Sequence, residues 1–221
     1  MRGSGKGPER LKTGKNRSAS SARWLTRQLN DPYVRQAKAD GWRSRAAFKL
    51  LELDEKFHLL RGVSRVVDLG IAPGGWSQVV RKKAPGAAVV GIDLLPTEPI
   101  EGVTIFEMDF MADAAPAALI EALGGAPDLV VSDMAANTVG HKQTDHLRTM
   151  GLVETAAHFA IEQLEPGGAF VAKVLAGGTD AELLALLKRH FKAVKHAKPP
   201  ASRKGSSEWY VIAQGFKGRA S

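Results

Sequence analysis

The sequence contains no cysteine. Disulfide staples and thiolate metal sites are therefore excluded, and the absence fits a reducing compartment. Long apolar runs are missing too. Nothing approaches the roughly 20 consecutive apolar residues that a membrane-spanning helix needs, and the first residues lack the apolar segment of a secretory signal. The six histidines, at 58, 141, 146, 158, 190 and 196, show no H-E-x-x-H or other close ligand spacing, so no metal is expected. Two phosphate-cradling motifs are absent as well. The turn Gly70-Ile71-Ala72-Pro73-Gly74-Gly75 matches neither the dinucleotide fingerprint G-x-G-x-x-G nor a P-loop, which ends in Gly-Lys-Ser/Thr. A nicotinamide-dependent oxidoreductase is disfavoured on the same ground. What is present, 221 residues with 44% hydrophobic and 24% charged, suits one globular domain with a sizeable core.

Charge is unevenly placed. The formal net charge is +8, yet residues 1–29 hold eight Lys/Arg against Glu9 alone, which leaves 23 basic and 22 acidic residues for everything after Leu29. A basic, Gly- and Ser-rich arm over 1–29 is expected, followed by one domain over 30–221. Such arms bind nucleic acid or remain solvated tails. If the arm is not the RNA contact, the candidates are Arg43, Arg45, Lys198, Arg203 and Lys204. A mitochondrial presequence is a weaker reading, because no amphipathic stripe precedes Trp24, and a cytoplasmic location is expected with the mitochondrial matrix as alternative.

The remaining chain alternates between two periodicities. Ser44 is a candidate N-cap for a helix to Leu60, with Ala46, Leu50, Leu53, Phe57 and Leu60 on one stripe and Gly62 closing it. Lys49, Glu52 and Lys56 flank that stripe, by default in solvent. Seven strands are expected, at 65–69, 88–94, 103–109, 129–134, 169–175, 192–198 and 209–216, with helices at 117–123, 145–164 and 180–191 between them. The last two strands lack a helix between them and should pair antiparallel across the polar loop 199–207. The expected fold is thus α/β: a mostly parallel, doubly wound, seven-stranded sheet with an antiparallel terminal strand.

Three carboxylates fall at the ends of these strands. Asp93, Asp109 and Asp133 sit at carboxyl edges, where open α/β sheets bind ligands. Each alone could cap a loop. Together beside one glycine turn they point to an adenosine-type ligand without a phosphate, for which S-adenosylmethionine qualifies. Asp93 lies about 20 residues past the turn, where a carboxylate can take ribose hydroxyls. Asp109 could reach the adenine amino group, and Trp76 could offer an apolar face. Lys173 interrupts the apolar run Ala169–Leu175. It either snorkels to the sheet edge or is kept uncharged by desolvation and a neighbouring cation, so that it acts as a general base.

At these residues the chain resembles the FtsJ/RrmJ-type ribosomal RNA 2′-O-methyltransferases. The similarity runs through Lys15–Leu25, Arg43–Leu50, Asp68–Gln78, Asp93–Pro96, Ser132–Ala135, Pro166–Val174 and Ser202–Tyr210. It implies a Rossmann-like class I methyltransferase that uses S-adenosylmethionine and modifies a uridine ribose in large-subunit (23S) rRNA, in the A-loop, on the 50S subunit. It implies a catalytic tetrad of Lys49, Asp133, Lys173 and Glu208, and cofactor contacts from Gly74, Trp76, Asp93, Asp109 and Asp133. A monomer without membrane attachment is expected. The same reaction on tRNA or another RNA, and a non-catalytic ribosome-assembly factor, are the alternatives. Ile71, Ala136 and Leu175-Ala176-Gly177 depart from the family's usual residues, and none belongs to the tetrad.

Overall fold

The computed structural model describes residues 26, 29–136, 142–175, 181–203 and 205–219. Most of the expected basic arm, the Lys15–Leu25 stretch, and Ala176, Gly177, Asp180 and Lys204 lie outside the described residues. One sheet of seven strands organises the rest: β1 Arg65–Leu69, β2 Ala88–Asp93, β3 Val103–Glu107, β4 Leu129–Ser132, β5 Ala169–Leu175, β6 Phe191–Ala197 and β7 Glu208–Phe216. The order is β3-β2-β1-β4-β5-β7-β6. Strands β1 to β5 pair in parallel, whereas β7 runs antiparallel to both β5 and β6.

Helices cover both faces, which is why the central strands read as unbroken apolar runs rather than alternating ones. On one face, α2 (Ala46–Phe57) and α3 (Gly75–Lys83) bury Leu50, Leu53, Phe57, Trp76, Val79 and Val80 against Val66, Val131, Val171 and Ile212. On the other, α4 (Ala115–Leu123), α5 (Lys142–Gln163) and α6 (Ala181–His190) pack Leu119, Val153, Phe159 and Leu187 against Val67, Val130, Phe170 and Val211. A fully buried Leu or Val contributes about 1.5–3 kcal/mol, so the two layers fix the strand ends that carry the site. A further helix, α1 (Pro32–Ala39), packs on α2.

Several boundaries differ from expectation. Ser44 does not cap α2: its Oγ is buried without a hydrogen-bond partner, Arg45 holds the N-cap position, and no side chain caps the helix. The helix stops at Phe57 because His58 turns left-handed at φ 55°. Leu60 then folds back, its N–H donating to Asp54 Oδ1 at 2.8 Å, so Gly62 is not the cap. Helices α4 and α5 begin two and three residues early, α4 with Pro116 in its first turn. Strand ends are trimmed at Leu94, Met108, Asp109, Asp133 and Met134, and these residues form loops along the carboxyl edge. The hairpin of the last two strands forms as expected, but β7 returns into the sheet between β5 and β6.

Candidate active site

The strand order reverses between β1 and β4, and at such a switch point the loops diverge and leave a crevice. A cleft of about 530 Å³ opens there, lined by Gly70, Ala72, Asp93, Leu94, Leu95, Asp109, Phe110, Asp133, Met134 and neighbouring residues. The turn after β1 passes beneath it. Gly70 adopts φ 81°, and a Cβ at this position would lie 2.7 Å from Met134 Cγ; only glycine lets the β1 and β4 loops approach this closely. Asp93 is fixed by two backbone donors, Ala72 N to Oδ2 and Leu95 N to Oδ1, both at 2.9 Å. Each oxygen keeps a second lone pair for a ligand hydroxyl. Asp109 accepts Met111 N on Oδ1 at 2.9 Å. Ile71 is buried, and its side chain fills the space over Gly91, where a Cβ would meet Ile71 Cδ1 at 2.3 Å. The bulk at residue 71 is therefore accommodated over Gly91, and Ile71 does not line the cleft.

Asp133 belongs to this cleft and also to a charged array beside it. Strand register builds the array: Lys173 pairs with Tyr210 and Leu175 with Glu208 across β5 and β7. Lys173 Nζ donates to the Asp133 carbonyl at 2.6 Å and lies 3.2 Å from Asp133 Oδ1. Lys49 Nζ donates to Glu208 Oε2 at 2.8 Å and stands 3.6 Å from Asp133 Oδ2. Tyr210 donates its hydroxyl to Asp133 Oδ1 at 2.7 Å, and Ser202 donates to Glu208 Oε1 at 2.7 Å. Burial would raise the Asp133 carboxyl, but the charges of Lys173 and Lys49 and the Tyr210 hydrogen bond outweigh it and hold it below the usual carboxylate range. Burial, with the charges of Asp133 and Glu208, pushes the Tyr210 phenol well above its usual value. It stays a neutral donor.

The four residues of the expected tetrad thus meet in one place, and Asp93, Asp109 and Asp133 line the cleft. Gly74 and Trp76 do not line it. Gly74 (φ 105°) sits under Ile100, whose Cδ1 would be 2.5 Å from a Cβ. The indole of Trp76 is buried, donates to the Ala46 carbonyl at 2.8 Å, and packs 5.6 Å from the Tyr210 ring. Its indole links α3 and α2 to the residue that holds Asp133 and offers no face to the cleft. Lys49 is not on a solvated flank but buried. Sequence reasoning missed Tyr210, whose place opposite Lys173 in the register was the available signal. It also missed the buried pair of Asp68 and Ser77, joined at 2.7 Å. Among the described residues no group of His, Asp and Glu is placed to hold a metal, and no helix is long and apolar enough to cross a membrane.

A Rossmann-like methyltransferase is the class this architecture defines, with the antiparallel last strand inserted beside β5 and the cleft at the β1/β4 switch. Residues 42–216 match the family of FtsJ-like methyltransferases. The chain is 83% identical over 211 residues to the ribosomal RNA large subunit methyltransferase E of Novosphingobium aromaticivorans, covering 96% of this chain and 95% of that one. It is 78% identical over 220 residues to the protein of the same name in Erythrobacter litoralis, covering 99% and 100%. A crystal structure from Plasmodium falciparum, of a protein assigned as a ribosomal RNA methyltransferase, superposes with a TM-score of 0.71 at 30% identity, covering 80% of this chain and all of that one. The chain belongs to the FtsJ-like methyltransferase family.

Proposed function

We propose that this chain transfers the methyl group of S-adenosylmethionine to the 2′-hydroxyl of a uridine ribose in large-subunit rRNA, in the A-loop of the 50S particle. The observation that carries the reading is the double membership of Asp133, which lines the cleft and pairs with both lysines of the array. A methyl donor in the cleft and a ribose on the array would meet there. The cleft suits an adenosyl group: apolar walls from Phe110, Leu94 and Leu95, a glycine floor, and carboxylates without a phosphate cradle. The names of the relatives support rRNA as the acceptor.

S-adenosylmethionine supplies an electrophilic methyl on a sulfonium. The protein's residues then have three tasks. Asp93 takes the ribose hydroxyls of the donor, and Asp109 its adenine amino group. Lys173, once its own ammonium proton has passed to solvent, accepts the proton of the 2′-hydroxyl as the oxygen bonds the methyl and the methyl–sulfur bond breaks, with Asp133 fixing it through carbonyl and carboxylate. Lys49, aligned by Glu208, stabilises the developing alkoxide. In-line positioning of oxygen and methyl supplies the remainder. The basic segment 1–29 would add phosphate contacts, and its deletion would lower the salt dependence of RNA binding.

The test is transfer of labelled methyl to large subunits that lack the modification, beside free rRNA and bulk tRNA, with Lys173→Ala as control. Label in the subunits that the variant abolishes is the expected result. Label in tRNA alone would overturn the substrate. No label, despite tight S-adenosylmethionine binding, would leave a binding factor.

A further inference from the structure

The near balance of charge after Leu29 hides a division. Residues 183–221 hold nine Lys/Arg against Glu208 alone, and subtracting these from 23 basic and 22 acidic residues leaves 14 and 21 for residues 30–182. The body of the domain is therefore acidic, and its last segment is strongly basic. Several cations of the fold are used internally. Arg43 donates to the carbonyls of Pro73, Glu98 and Pro99, Arg45 and Arg203 donate to Asp31, and Lys198 donates to the Ser206 carbonyl at 2.6 Å. Lys217 closes the end of α6 through the carbonyls of Lys188 and Arg189, at 3.1 and 3.0 Å. Four others are not engaged in this way. Lys188 and Arg189 lie in the last turn of α6, and Lys192 and Lys195 on β6. All four are exposed, and none has a carboxylate within ion-pair distance among the described residues.

Strand β6 is the outer strand of the sheet and pairs with β7 alone. Ala197 pairs with Tyr210 and so stands level with the array. At about 3.3 Å per residue, Lys195 and Lys192 lie roughly 7 and 17 Å further down the edge. Helix α6 passes directly into β6, so Lys188 and Arg189 continue the row. The charge of Lys188 reaches the strand: burial and that charge hold the His196 imidazole below its usual value. Lysines on an outer strand deter pairing with a second sheet, but Lys188 and Arg189 lie on the helix and have no part in that. Among the described residues no large hydrophobic side chain is exposed on α6 or β6, and on β7 only Trp209 is, opposite Val174. Cations without an apolar anchor suit a double helix recognised by its phosphates. A single strand would need aromatic side chains to stack on, and a lipid surface apolar ones to insert. We propose that Lys188, Arg189, Lys192 and Lys195 dock the phosphate backbone of a duplex segment of large-subunit rRNA, apart from the strand that carries the target ribose. This rests on the RNA-methyltransferase reading above. The edge orients the particle, and the array acts on the ribose.

The full chain is compared with the double variants Lys192→Ala/Lys195→Ala, Lys188→Ala/Arg189→Ala and Lys192→Arg/Lys195→Arg. These side chains are exposed, and S-adenosylmethionine affinity checks that the cleft is intact. Binding is measured across a salt series to a labelled RNA hairpin with a stem of about 16 base pairs. A single-stranded rRNA fragment carrying the target and vesicles of anionic phospholipid are measured beside it. Methyl-transfer kinetics are taken on large subunits that lack the modification. Each alanine pair should lower the salt slope for the hairpin by about 2, roughly one per lost phosphate contact, whatever the stem sequence. The arginine pair should keep the slope. KM for the particle should rise in the alanine pairs with kcat and cofactor affinity unchanged, and the single-stranded fragment should bind as before. An unchanged hairpin slope in both alanine pairs would overturn the docking face and leave the function standing. A slope lost equally for the single-stranded fragment would also overturn it, placing the edge on the path of the substrate strand. Hairpin binding lost with an unchanged KM for the particle would overturn rRNA as the partner. Loss confined to the vesicles would replace RNA by a membrane surface. A wild type that methylates no particle, with the hairpin slope still lost in the alanine pairs, would overturn the function and leave the edge as an RNA site.

Discussion

The cleft and the charged array meet at Asp133 but are built from opposite materials. The cleft consists of backbone N–H groups, glycine and apolar side chains, and its carboxylates are anchored by nearby amides: Asp93 by Ala72 and Leu95, Asp109 by Met111. The array consists of long charged side chains brought together from α2, the β4 loop, β5 and β7, with Lys49 and Glu208 separated by 159 residues. A site held by local backbone is complete once its strand ends form. A site held by ion pairs needs the whole sheet, and its charges are tolerated in a part-buried place because each has a partner. The two halves should therefore respond differently to the same kind of change.

Lys173→Ala gives the largest expected effect. Removing a general base costs about 10² to 10⁴ in rate, and because Lys173 does not line the cleft, cofactor affinity should hold. Rapid-mixing turnover beside calorimetric titration of S-adenosylmethionine reads both. Parallel losses in both would mean that the halves are not separable. Asp93→Ala reverses the pattern. Two hydrogen bonds to a charged group are lost, about 1.5 kcal/mol or more each, so the cofactor should bind at least about 100-fold more weakly while RNA affinity is retained. Equal weakening of RNA would break the division.

The same division explains what the sequence disclosed. The strands of the cleft were legible as apolar runs ending in aspartate, because both faces of the sheet are buried and the side chains at its edge are local to each run. Lys49 was not. Its spacing puts it beside the stripe of α2, and only Glu208, arriving on a strand inserted between β5 and β6, makes the position a buried one. Tyr210 looked like any core aromatic, since its hydroxyl partner lies on another strand. The apolar face expected of Trp76 is buried for the converse reason: an aromatic after a glycine turn suggests a ligand face, and nothing local reveals that the Ala46 carbonyl accepts its indole N–H. Asp31 reads as a helix cap, which it is, and the two arginines on its other oxygen are visible only in three dimensions.

Asp68 sharpens the comparison through pH. Its side chain is buried under the turn, and burial, with the charges of Asp133 and Asp93, raises its carboxyl to about 7 against the hydrogen bond from Ser77. The folded state therefore keeps a proton that the unfolded chain loses near its ordinary value of 3.8. Stability from this group is complete below that value and is lost as pH rises towards about 7, by about 1.4 kcal/mol per unit in between. Urea unfolding of Asp68→Asn from pH 5 to 8 should show that slope removed. A variant as pH-dependent as the wild type would show that Asp68 is ionised in the fold.

Tyr210→Phe probes the joint itself and should have the smallest effect. Losing one hydrogen bond to the Asp133 carboxylate costs about 1–2 kcal/mol, and Lys173 is still held by the Asp133 carbonyl, so turnover should fall by roughly tenfold or less. Asp133 is the opposite case to Asp68. Burial works to raise it, the two lysines and Tyr210 lower it further than burial raises it, and its stabilisation is present above 3.8 and lost as pH falls through the depressed value. Removing the phenol takes away one lowering contribution, so the loss should begin at higher pH and the acid-unfolding midpoint should move up. Lys49 and Lys173 remain, and the shift should be partial. A midpoint that stays put would mean that the two ammonium groups alone hold Asp133 ionised, and that the phenol serves to orient the carboxylate between them.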